Sequence, residues 1–268
     1  MTRTFHLAQI NIARMRYPLD DPRMRSFVDQ LDPINALAES SPGFVWRLQS
    51  EEGDATSLRP FGDDILVNMS VWESVEALEA FAYRSAHTEV LRQRKDWFDA
   101  LDSRAVALWW VPAGAQPTPA DARRRLDLLD GWGESPLAFT FKKRFPPPPA
   151  MPVDYAGRRF SSAANTANGD VTGATTFDYR HEGDTLWATY SGGGVRCGTL
   201  LAKVDGTSAI DMRYQHLNEA GEFRTGECWS APELLPDGRV RLHEYWQWTN
   251  GDRSRGQSVI EEIADLRQ

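Results

Sequence analysis

Cysteine is scarce in this sequence, which has only two, Cys197 and Cys228, among 268 residues. They form no C-x-x-C motif, and a single disulfide is not the framework of an extracellular protein. The histidines of the C-terminal half are dispersed and form no pair at metal-ligand spacing. We therefore predict no metal site and no cofactor.

Positive charge and long apolar runs are also lacking. The 30 Lys and Arg face 38 Asp and Glu, and because the formal net charge is −8, nucleic acid and membranes are not expected partners. No stretch approaches the roughly 18 apolar residues of a transmembrane helix, and residues 1–9 lack the apolar run of a signal peptide. The expected location is the cytoplasm.

A phosphate-binding motif is not found either. The run Ser191–Gly194 is rich in glycine, but no Lys followed by Ser or Thr completes it and no helix is predicted after it. We interpret it as a flexible turn.

Four consecutive prolines, Pro146–Pro149, mark the clearest boundary in the chain. Such a run donates no backbone hydrogen bonds and favours a stiff polyproline II spacer. The hydrophobic pattern also changes there, from helical spacing between short strands to alternation with a period of two. We predict an N-terminal domain at 1–145, a linker at 146–152 and a C-terminal domain at 153–268.

The N-terminal half is predicted to be α+β, with the β-α-β-β-α-β order of a ferredoxin-like domain. Pro33 is expected to kink or break a first helix at 22–40, and a second helix is predicted at 75–101 in two pieces. Thr118-Pro119-Ala120-Asp121 predicts a capped helix start. The predicted strands are Phe5–Met15, Phe44–Ser50, Ile65–Trp72, Ala105–Val111 and a short one at Leu137–Lys142.

The C-terminal half alternates between apolar and polar residues in about eight short segments, separated by turns such as Asp237-Gly238 and Asn250-Gly251. This pattern is typical of a small barrel or sandwich, and we predict an all-β antiparallel barrel of about eight strands. The predicted strands lie near 158–164, 174–181, 185–191, 195–204, 210–218, 222–230, 239–249 and 257–262.

Asn68 and Trp72 are the first candidates for chemistry. On a strand, positions 68, 70 and 72 share a face, so an amide and an indole could line a cavity beside the sheet. The alternative is that Trp72 only packs and that Asn68 is a strand-edge amide.

Several stretches around these residues resemble a known family. They are His6–Asn11, Pro42–Arg47, Asn68–Glu73, Tyr83–His87 and Leu108–Pro112. Residues 5–145 resemble the DUF3291 family, within or near the antibiotic-biosynthesis monooxygenase superfamily of dimeric α/β-barrels. The resemblance implies the ferredoxin-like fold, a cavity and a homodimer, but no single reaction, because members of the superfamily differ in chemistry.

In cofactor-free monooxygenases of that superfamily, an Asn and a Trp with three residues between them bind a phenolic substrate and activate oxygen. Asn68 and Trp72 match that spacing, and Arg92 is the match to an Arg about twenty residues later. Position 78 is Leu where that site has a Tyr. His87, near a helix start, is either a general base or a structural residue.

The haem-degrading branch of the superfamily is disfavoured. Asn11 could match its first-strand Asn, but Phe81 and Arg92 stand where its Trp and its His ligand are expected. Asn11 stays a candidate for substrate binding. Arg47 could clamp a phenolate or carboxylate, or could be a solvated arginine at the sheet edge.

In the C-terminal half, Tyr214 and His216 share a strand face that we predict to be interior. His243 and Tyr245 share a face of another strand and are further candidates. A barrel lined by aromatic rings and a few polar groups is typical of a ligand container; the alternative is a filled barrel whose polar groups bond internally. The half resembles uncharacterised calycin-like barrels in pattern only.

Two functions stay open. The first is an enzyme, a cofactor-independent monooxygenase or a cyclase or isomerase, that acts on an aromatic or polyketide-like molecule. The second is a non-catalytic carrier or sensor that binds a small apolar ligand. The predicted catalytic residues are Asn68, Trp72, Arg92 and His87, and the predicted substrate-binding residues are Asn11, Arg47, Tyr214, His216, His243 and Tyr245.

Overall fold

The computed structural model of the protein describes residues 2–51, 53–84 and 93–264. The chain divides into two compact units. One unit is Thr4–Phe145, and the other is Pro146–Gln268 together with Met1–Arg3. The division falls at the first residue of the four-proline run, so the run groups with the second unit.

The first unit is built on an antiparallel sheet. Within the described residues its strands are β1 (Phe5–Met15), β2 (Phe44–Arg47), β3 (Ile65–Trp72), β4 (Phe98–Asp99) and β5 (Val106–Pro112). β1 is central, with β3 and then β2 on one side, and with β5 and the short β4 on the other. Connections through helices carry the chain from β1 to β2 and from β3 towards β5.

The helix predicted at 22–40 is divided in the structure. A 3-10 turn at Pro22–Met24 leads into α1 (Arg25–Val28), and α2 follows at Leu31–Glu39. The break precedes α2 instead of falling at Pro33, because Pro33 lies in the first turn of α2, where its missing N–H leaves no intrahelical bond unmade. A break was therefore predicted correctly, and its position was wrong.

The helix start predicted at Thr118 is confirmed. Thr118 Oγ1 accepts a hydrogen bond from the Asp121 backbone N–H at 3.2 Å, and Asp121 Oδ2 accepts one from the Thr118 backbone N–H at 2.9 Å. This capping box begins the helix α4, Pro119–Trp132. The other helical segments are α3 (Val75–Arg84) and residues 93–97.

Three predicted segments of this unit differ in the structure. The helix predicted to reach 101 gives way to β4 at Phe98, and the strand predicted to reach Ser50 ends at Arg47. The segment 137–142 forms isolated bridges instead of a strand, of which Leu108–Phe139 is one. These segments are short, and tertiary packing outweighs local propensity in such cases.

Apolar residues cover both faces of the sheet. On one face, Trp72 and Leu108 pack with Leu78 of α3 and with Phe139. On the other, alternate residues such as Ile10 are fully buried. Helix α4 contacts β5 and completes the core.

The second unit is a closed antiparallel barrel of eight strands. They are β6 (Arg159–Asn165), β7 (Thr176–Glu182), β8 (Thr185–Gly192), β9 (Val195–Val204), β10 (Ile210–Asn218), β11 (Phe223–Leu234), β12 (Val240–Trp248) and β13 (Arg255–Glu262). Each strand pairs with the next along the chain, and β13 closes the barrel against β6. The predicted all-β barrel of about eight strands is confirmed.

One half of the barrel interior is filled. The rings of Phe160 and Tyr179 lie 4.8 Å apart, and Tyr155 packs on Tyr179 at 6.3 Å. All three are buried, and the Tyr155 hydroxyl donates to the Ser208 carbonyl at 2.6 Å. These rings therefore contribute to the packed core of the barrel.

Candidate functional site

The opposite half of the barrel encloses a cavity of about 50 Å³. Such a volume is enough for a few water molecules or a small organic group. Five aromatic residues contribute to the wall: Phe177, Tyr190, Tyr214, Trp246 and Trp248. Aromatic walls with a few polar groups are typical of small-molecule sites.

Three of these rings each cover a glycine that lies directly opposite on the neighbouring strand. The pairs are Tyr190 with Gly198, Tyr214 with Gly226, and Trp246 with Gly256. A Cβ atom at any of the three glycines would overlap the ring. Because the glycine offers no side chain, the ring can lie along the wall instead of across the lumen, and the cavity stays open.

Glu244 carries a carboxyl group into this cavity from β12. Its direct cross-strand neighbours are Ser230 on β11 and Ser258 on β13. The Ser258 hydroxyl donates to Glu244 Oε2 at 2.7 Å, and Ser230 is a second hydrogen-bond partner. A buried carboxyl is therefore held between two hydroxyl groups, one from each adjacent strand.

Burial raises the pKa of Glu244 to about 7, and the hydrogen bonds from Ser258 and Ser230 act in the opposite direction. Both protonation states are therefore populated near neutral pH. Burial also raises the pKa of Cys228 and of Tyr214, which line the same cavity and stay neutral there. Glu244 is thus a wall residue that can change its charge around pH 7.

His216 stands where the cavity meets a loop between β6 and β7. Its Nε2 lies 3.0 Å from Asp170 Oδ2, and its Nδ1 lies 3.0 Å from the Tyr190 hydroxyl. One neutral tautomer satisfies both contacts, with Nε2–H donating to Asp170 and Nδ1 accepting from Tyr190. Burial lowers the pKa of His216, although Asp170 acts to raise it.

This hydroxyl–imidazole–carboxylate series has the composition of a nucleophilic triad, but its chemistry differs. Burial raises the pKa of Tyr190 well above its usual range, so the hydroxyl is not an activated nucleophile. The contacts instead tie Asp170, and with it the loop, to the barrel wall. We assign the series a positioning role.

The loop 166–175 contributes Gly169, Asp170 and Val171 to the cavity wall and rests on the turn Gly192–Gly194. Thr175 Oγ1 donates to the Gly192 carbonyl at 2.8 Å. A Cβ atom at each of the three glycines would overlap the loop, at Ala174, Thr172 and Asp170 respectively. The run that the sequence suggested was a flexible turn is therefore a close-packed support, because only glycine leaves room for the loop backbone.

Of the four barrel residues predicted to bind a ligand, two line the cavity and two do not. Tyr214 and His216 line the cavity. His243 and Tyr245 lie on the opposite face of β12 from Glu244, outside the cavity. His243 Nε2 lies 2.8 Å from Glu233 Oε2 there. The even-numbered residues of β12, which carry the large apolar side chains, point inwards. His243 and Tyr245 therefore point outwards, and this placement does not support their predicted binding role.

In the first unit, Asn68 and Trp72 belong to one hydrogen-bonded series on the sheet. The Trp72 indole donates to Ser70 Oγ at 2.8 Å, and Gln9 Nε2 donates to Ser70 Oγ at 3.0 Å and to Asn68 Oδ1 at 2.7 Å. Trp72 is fully buried and stacks on Phe81 at 5.1 Å, while Asn68 is exposed. Asn68 is the end of the series that a substrate could reach.

The remaining predicted residues are dispersed. Asn11 lies on β1 directly opposite Asn68 on β3. Arg47 forms an ion pair with Glu39 at 2.7 Å, which occupies the guanidinium group proposed as a clamp. His87 and Arg92 lie outside the described residues.

No group of three or more His, Cys, Asp and Glu in the part of the chain that the structure describes could hold a metal ion. Both cysteines are free thiols. No helix in the same residues is long and apolar enough to cross a membrane.

Sequence reasoning missed Glu244 and Asp170. The alternation of β12 does place position 244 on the face of Leu242 and Trp246, and a charged residue on an apolar face was the available signal. Asp170 offered no such signal, because it lies in an irregular loop and its partner His216 is 46 positions away.

These features define a two-part class of protein, in which an α+β unit is followed by an antiparallel barrel suited to a small ligand. Residues 6–154, more than half of the chain, match the family described as a domain of unknown function (DUF3291), and the chain belongs to that family. Residues 153–263 match the family described as avidin-like protein, which confirms the resemblance to calycin-like barrels.

No curated protein matches the chain. Among solved structures, a protein of unknown function from Nitrosomonas europaea is similar, with 12% sequence identity over 44% of this chain and 97% of that chain. The TM-score is 0.29.

Proposed function

We propose that the protein binds a small molecule in the lumen of its C-terminal barrel. The observation that carries the proposal is the open cavity, with aromatic rings held against the wall over glycines and a carboxyl group directed into it. A barrel that served only as a scaffold would gain stability by filling this space, because cavities cost packing energy. The match to the avidin-like family is in agreement with a ligand-binding barrel.

A cavity-filling pair of variants tests the site. Leu200 lines the cavity, whereas Leu201, the next residue on β9, is 62% exposed. Leu200→Phe should weaken binding of any lumenal ligand at least tenfold, while Leu201→Phe should leave it unchanged. Binding would be measured by native mass spectrometry against a collection of small molecules, and equal binding by both variants would place the site outside the lumen.

For the first unit we propose the ferredoxin-like fold. The strand order β2-β3-β1-β5 and the β-α-β-β-α-β sequence of elements support it. The monooxygenase or cyclase hypothesis for this unit rests on the hydrogen-bonded series from Trp72 to the exposed Asn68. A homodimer is part of the same hypothesis, and a solution mass near the 30.2 kDa of one chain would contradict it.

A further inference from the structure

Two of the polar groups that the lumen offers to a ligand are hydrogen-bond acceptors, Asn165 Oδ1 and the Glu244 carboxylate. Asn165 Nδ2 donates to the Val171 carbonyl at 2.9 Å, whereas its Oδ1 is buried and has no donor within the described residues. The hydroxyl groups of Ser258 and Tyr190 already donate, to Glu244 and to His216 respectively. A ligand with N–H donors would form hydrogen bonds with these acceptor atoms of the cavity wall.

Glu244 is the strongest of these acceptors, and its carboxylate has no cationic partner. Its hydrogen bonds come from two neutral serines, and no Lys, Arg or His of the described residues forms an ion pair with it. A buried carboxylate without a counter-charge is costly, so a cation that entered the lumen would be stabilised there.

The aromatic wall suits the same kind of guest. Trp246 and Trp248 lie 5.3 Å apart, and the Tyr214 ring meets Trp248 edge-on at 5.5 Å. The faces of such rings attract cations, most strongly where water is excluded. Carboxylate and rings together therefore select for positive charge more than for apolar surface alone.

We propose that the ligand of the barrel is a small organic cation with N–H donors, such as a guanidinium, amidinium or primary ammonium group, held by Glu244 as its counter-charge. This rests on the proposed ligand-binding function and names the class of ligand for that same lumen. The volume of about 50 Å³ limits the part that enters to a compact head group.

Charged groups of both signs lie near the lumen. Arg224 lies 4.1 Å above the Trp248 ring and acts against a second positive charge there, but it pairs with Asp252 at 3.6 Å. Asp170 adds a further negative charge. The titratable groups that interact with Glu244 from other strands are Tyr179, Tyr190, Tyr214 and Cys228, all with pKa values raised by burial. They are neutral, so binding should strengthen as pH rises towards 7 and Glu244 ionises.

The test compares methylguanidinium with methylurea, a neutral probe of nearly the same shape, and with acetate, a smaller anion. Titration calorimetry of the full chain at pH 8 and constant ionic strength should show methylguanidinium binding at least tenfold tighter than methylurea, and acetate not binding. Glu244→Gln should reduce the affinity for methylguanidinium to the affinity for methylurea. Glu244→Asp, which keeps the charge, should retain the preference, and Glu219→Gln, an exposed carboxyl paired with Arg196, should change nothing.

The outcomes separate this proposal from the proposed function. Suppose that methylurea or acetate binds as tightly as methylguanidinium and that Leu200→Phe abolishes this binding. Such a result would overturn the proposal of a cationic ligand but would support a ligand site in the lumen. An unchanged cation preference in folded Glu244→Gln would also overturn the cation proposal. No binding by any probe would overturn the cation proposal and leave the lumenal site to the Leu200→Phe test with other small molecules. Binding that is insensitive to Leu200→Phe would overturn both.

Discussion

Single residues decide the chemistry of the barrel lumen, and Glu244 does so through its position between two serines. Burial alone would favour a permanently protonated acid, whereas the hydroxyl donors of Ser230 and Ser258 stabilise the carboxylate. The balance leaves a group that changes charge near neutral pH. The same balance makes the stability of the barrel depend on pH.

Glu244→Gln should change that pH dependence. The unfolded carboxyl titrates near 4.5 and the folded one near 7, so between these values the folded state keeps a proton that the unfolded state has lost. The wild-type barrel therefore loses stability as pH rises through this window. At about 1.36 kcal/mol per pH unit, the loss relative to the variant reaches about 3 kcal/mol.

The measurement is the free energy of unfolding of the barrel in urea at pH 5, 6, 7 and 8. The free energy of unfolding of the variant should increase relative to that of the wild type up to pH 7, and the difference between the two should be constant at higher pH. Glu219→Gln, which removes an exposed carboxyl, serves as the control. Parallel pH curves for Glu244→Gln and the wild type would refute the assigned pKa.

At the scale of elements, the alternation of apolar and polar residues was enough to predict the barrel. All eight strands were placed within a few residues, because one face of each strand is buried and turn residues separate them. The choice of face was harder on β12, where His243 and Tyr245 were expected at the ligand. Glu244, a charged residue, takes the inward position there, and its place on the face of Leu242 and Trp246 was the signal for it, although a buried face is expected to carry apolar residues.

The loop 166–175 could not be predicted as part of the site, because its position depends on contacts distant in sequence. Asp170 contacts His216, and the turn Gly192–Gly194 supports the loop backbone. Composition alone favoured the interpretation of those glycines as a flexible turn. The structure shows that a Cβ atom at any of these glycines would overlap the loop, so the turn is a close-packed support and not a flexible segment.

Gly193→Ala should loosen the loop specifically. Gly193 has φ +62° and faces Thr172, so the variant adds both backbone strain and an overlap. Gly183→Ala is the matched control, since Gly183 has φ +63° and nothing within 4 Å of the added atom. Both variants should lose about 1 kcal/mol of stability to backbone strain. Only Gly193→Ala should raise hydrogen exchange of amides 166–175, and equal exchange in both would remove the supporting role of the turn.

At the scale of the whole molecule, each of the two units carries its own candidate site. The first holds the hydrogen-bonded series that ends at Asn68, and the second holds the lumen around Glu244. Family membership covers the first unit without assigning a reaction to it. The assignments for the two units are therefore tested separately.

The two activities should be separable by mutation. Oxygen uptake with aromatic hydroquinones, if the monooxygenase hypothesis holds, should be lost in Asn68→Ala and unchanged in Leu200→Phe. Binding of methylguanidinium should show the reverse pattern. The absence of uptake in the wild-type protein would refute the enzyme hypothesis, and a lower rate in Leu200→Phe would show that the two sites are not independent.

The three glycines beneath the lumenal rings change what a mutational survey of this barrel can report. Alanine scanning treats alanine as the residue that removes contacts, but at Gly198, Gly226 and Gly256 alanine is the larger side chain. A scan restricted to the visible lining would assign ligand size to the rings alone. The positions that set the width of the lumen are the ones with no side chain to delete, and they are found only by adding atoms.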